Sequence, residues 1–106
     1  FDNPDRDAPG KAQRPGDAAE TQRLAALRVM PHTGTARRAV LDLLLVHEHG
    51  MTDEEIQDAL RMNPSTERPR RVELVEGGWL EDSGRRRPTR SGADAVVWKG
   101  TEKALA

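Results

Sequence analysis

Residues 51–80 read MTDEEIQDALRMNPSTERPRRVELVEGGWL, and this stretch predicts two short helices joined by a tight turn. Thr52 and Glu55 have the spacing of a capping box, which places a helix start between them. Asn63 followed by Pro64 marks a second start, because proline is favoured at the first helical position. The apolar residues expected to face inward are Ile56, Ala59, Leu60, Val72, Leu74 and Val75.

A longer helix precedes this stretch and a hairpin follows it. From Thr35 to Gly50, apolar residues recur every three or four positions, which predicts the main core helix. Two strand-like pieces, at 79–80 and 95–98, flank a polar, arginine-rich segment. The expected fold is therefore mainly α with a small β-hairpin, in which Trp79 and Trp98 pair across the two strands and a long basic loop joins them.

The outer segments divide the chain further. Residues 1–16 are rich in proline, glycine and charge, which predicts a disordered arm. Residues 17–30, with Asp17 as the cap, predict an extra amino-terminal helix that ends before Pro31. The compact domain is expected to span 35–99, followed by a flexible tail over 100–106.

Composition excludes several classes of protein. The chain has 106 residues, of which 35% are hydrophobic and none is cysteine, so we expect neither a deep cofactor pocket nor a thiolate zinc site. His47 and His49 diverge on a helix, and no nucleophile, base and orienting residue come together, so no metal, cofactor or enzymatic activity is expected. No run of about 18 apolar residues predicts a membrane span, and we expect a cytoplasmic, nucleoid-associated protein.

The order of three helices and a hairpin resembles the winged helix-turn-helix, with a three-helix core and a wing. MTDEEI (51–56) resembles the start of the second helix in that superfamily, and NPST (63–66) with the following Arg70-Arg71 resembles the recognition helix of MarR-like regulators. RPRRVEL (68–74), EDSG (81–84) and TRSG (89–92) resemble small winged-helix proteins of actinobacteria and their phages. The resemblance implies binding of double-stranded DNA, as a transcriptional regulator or accessory DNA-binding factor.

On this resemblance, the third helix enters the major groove and exposes the candidate readers Ser65, Thr66, Arg68, Arg70 and Arg71. An ordinary alternative is that Glu67 pairs with Arg71 one turn away and holds it in solvent. Pro69 departs from the usual pattern, since it removes a backbone hydrogen bond inside a helix. Either the helix kinks there or it begins near Arg68.

The remaining candidates are cations expected to contact the DNA backbone or the minor groove. They are Arg85, Arg86, Arg87 and Arg90 in the wing, with Arg37 and Arg38 at the start of the first core helix. If four to six phosphates are neutralised, log affinity should fall with log salt at a slope of roughly −4 to −5.

Two other readings stay open at this point. The net charge of −1 is unusual for a DNA-binding protein, so the domain could be a protein-interaction module that docks through its acidic second helix. It could also be a non-catalytic subunit of a DNA-processing complex. Segregated charges favour DNA and intermixed charges favour the interaction module. A homodimer is expected through residues 17–30, by way of Leu24 and Leu27.

Overall fold

The computed structural model describes residues 15–105 and shows a mainly helical domain with a carboxy-terminal two-stranded antiparallel hairpin, which confirms the predicted fold class. The order of elements is consistent with a winged helix. The elements are α1 (Pro15–Leu27), α2 (Ala36–Val46), α3 (Asp53–Leu60), α4 (Pro64–Glu76), β1 (Leu80–Pro88), β2 (Asp94–Gly100) and α5 (Glu102–Leu105). In this part of the chain no helix is long and apolar enough to cross a membrane.

Three helices begin where local capping signals predict. The Thr35 side chain accepts a hydrogen bond from the Arg38 backbone N–H, and the Asn63 side chain accepts one from the Thr66 N–H. Thr52 and Glu55 form both halves of a capping box at the start of α3. These caps satisfy amide groups that have no partner inside the helix. The caps at Thr52 and Asn63 thereby fix the turns that lead into α3 and α4.

The core lies between α2, α3, α4 and the base of the hairpin. Its fully buried side chains are Val40, Leu41, Leu44, Ile56, Leu74, Leu80 and Val97. The prediction that Val72 faces inward is wrong, because its side chain is 39% exposed. Ala59 is exposed as well, and Glu67 takes a place in the interior instead.

Helix α4 runs without a break through Pro69, so the alternative in which it begins near Arg68 is wrong. Pro69 has no N–H and therefore cannot donate to the carbonyl of Ser65 one turn earlier. The ring lies on the exposed side of the helix. The intact helix places Ser65, Arg68, Pro69 and Val72 along one line by their spacing.

The hairpin differs from the predicted one in length and register. Arg86 and Arg87 pair with Val96 and Ala95, so the arginines at 85–87 lie in strand β1 and not in a loop. Only Arg90 lies in the turn. The pairing between the two tryptophans is also wrong, because Trp98 lies opposite Asp82.

The amino-terminal end of the described chain packs against the residues that follow α4, from Gly77 to Trp79. Helix α1 begins at Pro15, so Pro15 and Gly16 belong to it and Asp17 is not its cap; the rest of the predicted arm lies outside the described residues. The carbonyl of Leu27 accepts a hydrogen bond from Trp79 Nε1 at 2.9 Å.

The flexible tail predicted from Gly100 is wrong over the described residues. Gly100 pairs with Leu80 in the hairpin, and the next residues form α5. Thr101 Oγ1 donates to the carbonyl of Gly78, and Ala104 is buried. The prediction failed because the partners of Gly100 and Thr101 lie twenty or more positions earlier in the chain.

Candidate nucleic-acid interface

The outer face of α4 is formed by Ser65, Arg68, Pro69 and Val72, which are all exposed and follow the three- and four-residue spacing of one helix face. Arg68 has no hydrogen-bond or ion-pair partner among residues 15–105. The Ser65 hydroxyl donates to Asn63 Oδ1 at 2.7 Å, so it supports the cap of the helix. Arg68 is thus the one predicted reader on this helix whose guanidinium group is free within the described chain.

Arg61 is a cation that the sequence analysis did not single out. It ends α3 in the left-handed backbone conformation, at φ 56°, in the turn that leads into α4. Its side chain is exposed, and no partner for it occurs among the described residues. Its position in the sequence could have identified it, because a residue in the short turn before Asn63 lies close to the start of the next helix.

Arg71 is held in the structure rather than presented to solvent. Its guanidinium group donates to both carboxylate oxygens of Asp53, at 2.9 and 2.8 Å, and lies 4.3 Å from the centre of the Trp98 ring. The side chain is only 17% exposed. This two-point ion pair joins α4 to the start of α3, so Arg71 contributes to the fold and is not placed to read bases.

Glu67 is fully buried beside this ion pair, and the predicted pairing of Glu67 with Arg71 is wrong. Gln57 Nε2 donates to Glu67 Oε1 at 2.9 Å, while Oε2 accepts no hydrogen bond. Burial, together with the neighbouring carboxylate of Asp53, raises the pKa of Glu67 to about 8. At neutral pH its proton can be donated to Asp53, and the side chain adds no negative charge to the surface.

Arg37 and Arg70 share one carboxylate, that of Glu73. Arg70 Nε and Nη2 donate to its two oxygens at 2.7 and 3.0 Å, and Arg37 Nε donates at 3.1 Å. Burial alone would raise the pKa of Glu73, but the hydrogen bonds and charges of the two arginines lower it below its ordinary value. Both arginines are therefore part of the α2–α4 contact.

The hairpin arginines contact the acidic helix α3. Arg87 Nη1 donates to both oxygens of Glu55, at 2.7 and 2.6 Å. Arg90 Nη2 donates to Asp58, and the Arg90 backbone N–H donates to Glu54. The hairpin therefore lies back on α3, and positive and negative charges alternate on this side of the molecule.

The remaining predicted cations make weaker contacts. Arg86 pairs with Asp82 at 3.1 Å, and both side chains are nearly half exposed. Arg85 donates to the carbonyl of His49, which leaves its charge without a carboxylate. Arg38 pairs with Asp42 at 2.9 Å. Exposed ion pairs of this kind contribute about 0–1 kcal/mol, so these groups can exchange partners readily.

The structure therefore divides the predicted contact residues by their burial and their partners. Arg37, Arg70, Arg71 and Arg87 are held by half-buried carboxylates. Arg68, Arg85, Arg86 and Arg90 keep an exposed or unpaired charge, and Arg61 joins them. Comparison of the chain with protein families, curated proteins and solved structures finds no match.

Proposed function

We propose that this chain binds double-stranded DNA as a winged helix, with α4 in the major groove and the β1–β2 hairpin as the wing. One observation carries the proposal: from Pro64 to Val72, the surface of α4 exposes the unpaired cation Arg68 and no carboxylate. The only acidic residue in that span, Glu67, is buried. The repulsion of phosphate that Glu67 would otherwise cause is thereby removed.

The amino-terminal half of α4 suits a polyanion for two further reasons. The start of a helix carries a partial positive charge, and in helix-turn-helix proteins this end of the recognition helix meets the base edges. Arg61 adds a second unpaired cation in the turn just before it. An arginine fork such as that of Arg68 matches O6 and N7 of guanine.

The hairpin supplies a smaller share of the binding than the sequence suggested. Arg61, Arg85, Arg86 and Arg90 are the cations free to reach phosphates. Four such contacts give a salt slope of about −3.6, at the low end of the roughly −4 to −5 expected when four to six phosphates are neutralised. The biological setting remains that of a transcriptional regulator or an accessory DNA-binding factor.

The test is fluorescence anisotropy of a labelled random duplex between about 50 and about 300 mM salt. Non-specific binding by one such domain is expected in the micromolar range at low salt. Arg68→Glu should weaken it about tenfold or more. Arg28→Glu is the matched control, because it makes the same change in net charge at an exposed position that follows α1, near the other end of α4. Sedimentation first establishes that this variant keeps the oligomeric state of the wild type.

Two results would contradict the proposal. The wild type fails to bind at the lowest salt, or Arg28→Glu weakens binding as much as Arg68→Glu does. Circular dichroism of each variant, compared with the wild type, separates a loss of contact from a loss of fold.

A protein-interaction module is the second candidate, and the intermixed charges between the hairpin and α3 favour it. The docking face expected for that function was the acidic helix α3. Its carboxylates at 53–55 and Asp58 already bond to arginines of this chain, so a basic partner would have to displace them. Absence of DNA binding together with an unchanged fold would support this candidate.

We keep the homodimer through residues 17–30 as part of the proposal, with a changed contact surface. Leu27 is buried against the base of α4 and is not available to a second copy. Val29 and Met30 are the large apolar side chains left exposed next to it. Sedimentation of the wild type and of Val29→Lys tests this contact, which is wrong if both sediment as monomers at all concentrations.

A further inference from the structure

The outer face of α4 has an unusual composition for a DNA-reading surface. Arg68 is its one charged group, and the two large neighbours on the same face, Pro69 and Val72, are apolar. Ser65 completes the face, and its hydroxyl is bonded to the cap residue. A face that reads bases through many hydrogen bonds would carry several free polar side chains, whereas this face carries only Arg68.

The fold does not account for these two apolar residues. Pro69 removes a backbone hydrogen bond from the middle of α4, which destabilises a regular helix. Val72 is β-branched, which lowers helix propensity, and its exposed side chain adds little to the core. Both residues therefore weaken the helix at the positions where it faces outward.

We infer that α4 reads a guanine with Arg68 and the methyl groups of thymines beside it with Pro69 and Val72. This inference rests on the proposed DNA binding and names the sequence class that the same face recognises. In the major groove, guanine offers two acceptors to an arginine fork, and the C5-methyl group of thymine is the apolar feature. Contact with apolar side chains is the way in which that methyl group is recognised.

The spacing of the residues limits where the thymines can lie. Arg68 and Val72 are four residues apart, which is about 6 Å along the helix axis. Successive base pairs of DNA are about 3.4 Å apart. Val72 therefore reaches a base pair within about two steps of the guanine, and Pro69 reaches the adjacent one.

The test begins with selection of preferred sites from a random duplex library by the full chain. The inference expects a fixed guanine with one or two thymines within two base pairs. The selected duplex is then made with uracil in place of those thymines, which removes only the methyl groups. Wild-type affinity should fall about fourfold for each methyl contact, the equivalent of about 0.8 kcal/mol.

Three variants assign the contacts. Val72→Ser should bind the thymine and uracil duplexes equally at its position, whereas Val46→Ser, the same change at an exposed position on α2, should keep the wild-type preference. Arg68→Lys keeps the charge but not the fork. It should retain the affinity for random duplex and lose the preference for guanine.

The outcomes separate this inference from the proposed function. Binding to random duplex with no selected guanine, or with equal affinity for thymine and uracil, overturns the inference and leaves DNA binding in place. No binding to any duplex overturns both the inference and the proposed function. A preference that survives in Val72→Ser and Arg68→Lys also overturns the inference.

Discussion

Replacement of Glu67 by glutamine tests the buried carboxyl group whose burial leaves the amino-terminal half of α4 without an exposed carboxylate. In the folded protein its pKa is raised to about 8, against an ordinary value of 4.5. Between these two pH values the folded state keeps a proton that the unfolded state has lost. The free energy of unfolding therefore falls as the pH rises, by about 1.4 kcal/mol per pH unit.

The size of the effect follows from that interval. Stability lost between pH 4.5 and pH 7 is on the order of 3 kcal/mol, and the loss is complete near pH 8. Glutamine carries no proton to lose, and its amide can accept from Gln57 and donate to Asp53. Glu67→Gln should therefore be more stable than the wild type by on the order of 3 kcal/mol at pH 7, with a difference that shrinks toward pH 5.

Urea unfolding followed by tryptophan fluorescence at pH 5, 6, 7 and 8 measures this difference. The pKa of Asp53 is lowered from its ordinary value of 3.8, so its protonation changes stability only below that pH and does not affect measurements between pH 5 and pH 8. Glu48→Gln, at an exposed position, serves as the control and should follow the wild type. The reasoning fails if wild-type stability does not fall across this range, or if Glu67→Gln and the wild type give parallel curves.

Two further predictions concern neighbouring residues of α4. Pro69→Ala restores the backbone N–H at position 69, which can donate to the carbonyl of Ser65, so it should raise the free energy of unfolding by up to about 3 kcal/mol. It should also weaken binding to the selected DNA site. Urea unfolding measures the first effect and anisotropy the second, and a gain in both stability and affinity would remove Pro69 from the contact. Arg71→Met leaves the half-buried Asp53 without its partner and should cost up to about 3 kcal/mol of stability. Its random-duplex affinity at low temperature, where the fold persists, should stay within about twofold of wild type, and a tenfold loss would return Arg71 to the interface.

The starts of α3 and α4 could be predicted because the signals that set them are local, whereas the cap predicted for α1 at Asp17 is wrong. Thr52 needs only Glu55, three residues away, to form its capping box, and Asn63 needs only the amide of Thr66. Such short-range preferences act whatever the rest of the chain does. The fold class could be predicted because it follows largely from the number and order of such locally specified elements.

The hairpin and the tail could not be predicted in the same way. The segment from Asp82 to Arg87 has no large apolar residue, so the sequence predicts a loop there. In the structure it pairs with β2 at Asp82, Arg86 and Arg87. Sheet formation depends on a partner strand more than on intrinsic preference. The same holds for α5. Its Lys103, and Thr101 just before it, donate to the carbonyl groups of Gly77 and Gly78, which follow α4.

The fate of each arginine was the least predictable feature. Arg71 and Asp53 are eighteen positions apart, and Arg87 and Glu55 are thirty-two apart. A helix-spacing rule offers Arg71 only its near neighbour Glu67, which tertiary packing has taken into the core. Which cations remain for DNA therefore depends on how α3 lies between α4 and the hairpin.

These internal pairs also set how DNA affinity should be distributed. An arginine that leaves Asp82 or Asp58 to reach a phosphate exchanges one anion for another, so its net contribution is small. Arg61 and Arg68 give up no carboxylate on binding, and their contribution is the larger one. Arg85 likewise gives up only a carbonyl group. Because these three are the cations of this kind on α4, the turn before it and the hairpin, a single copy should bind weakly. A second copy, or a larger assembly on the same DNA, would supply the rest of the affinity by holding each domain close to its site.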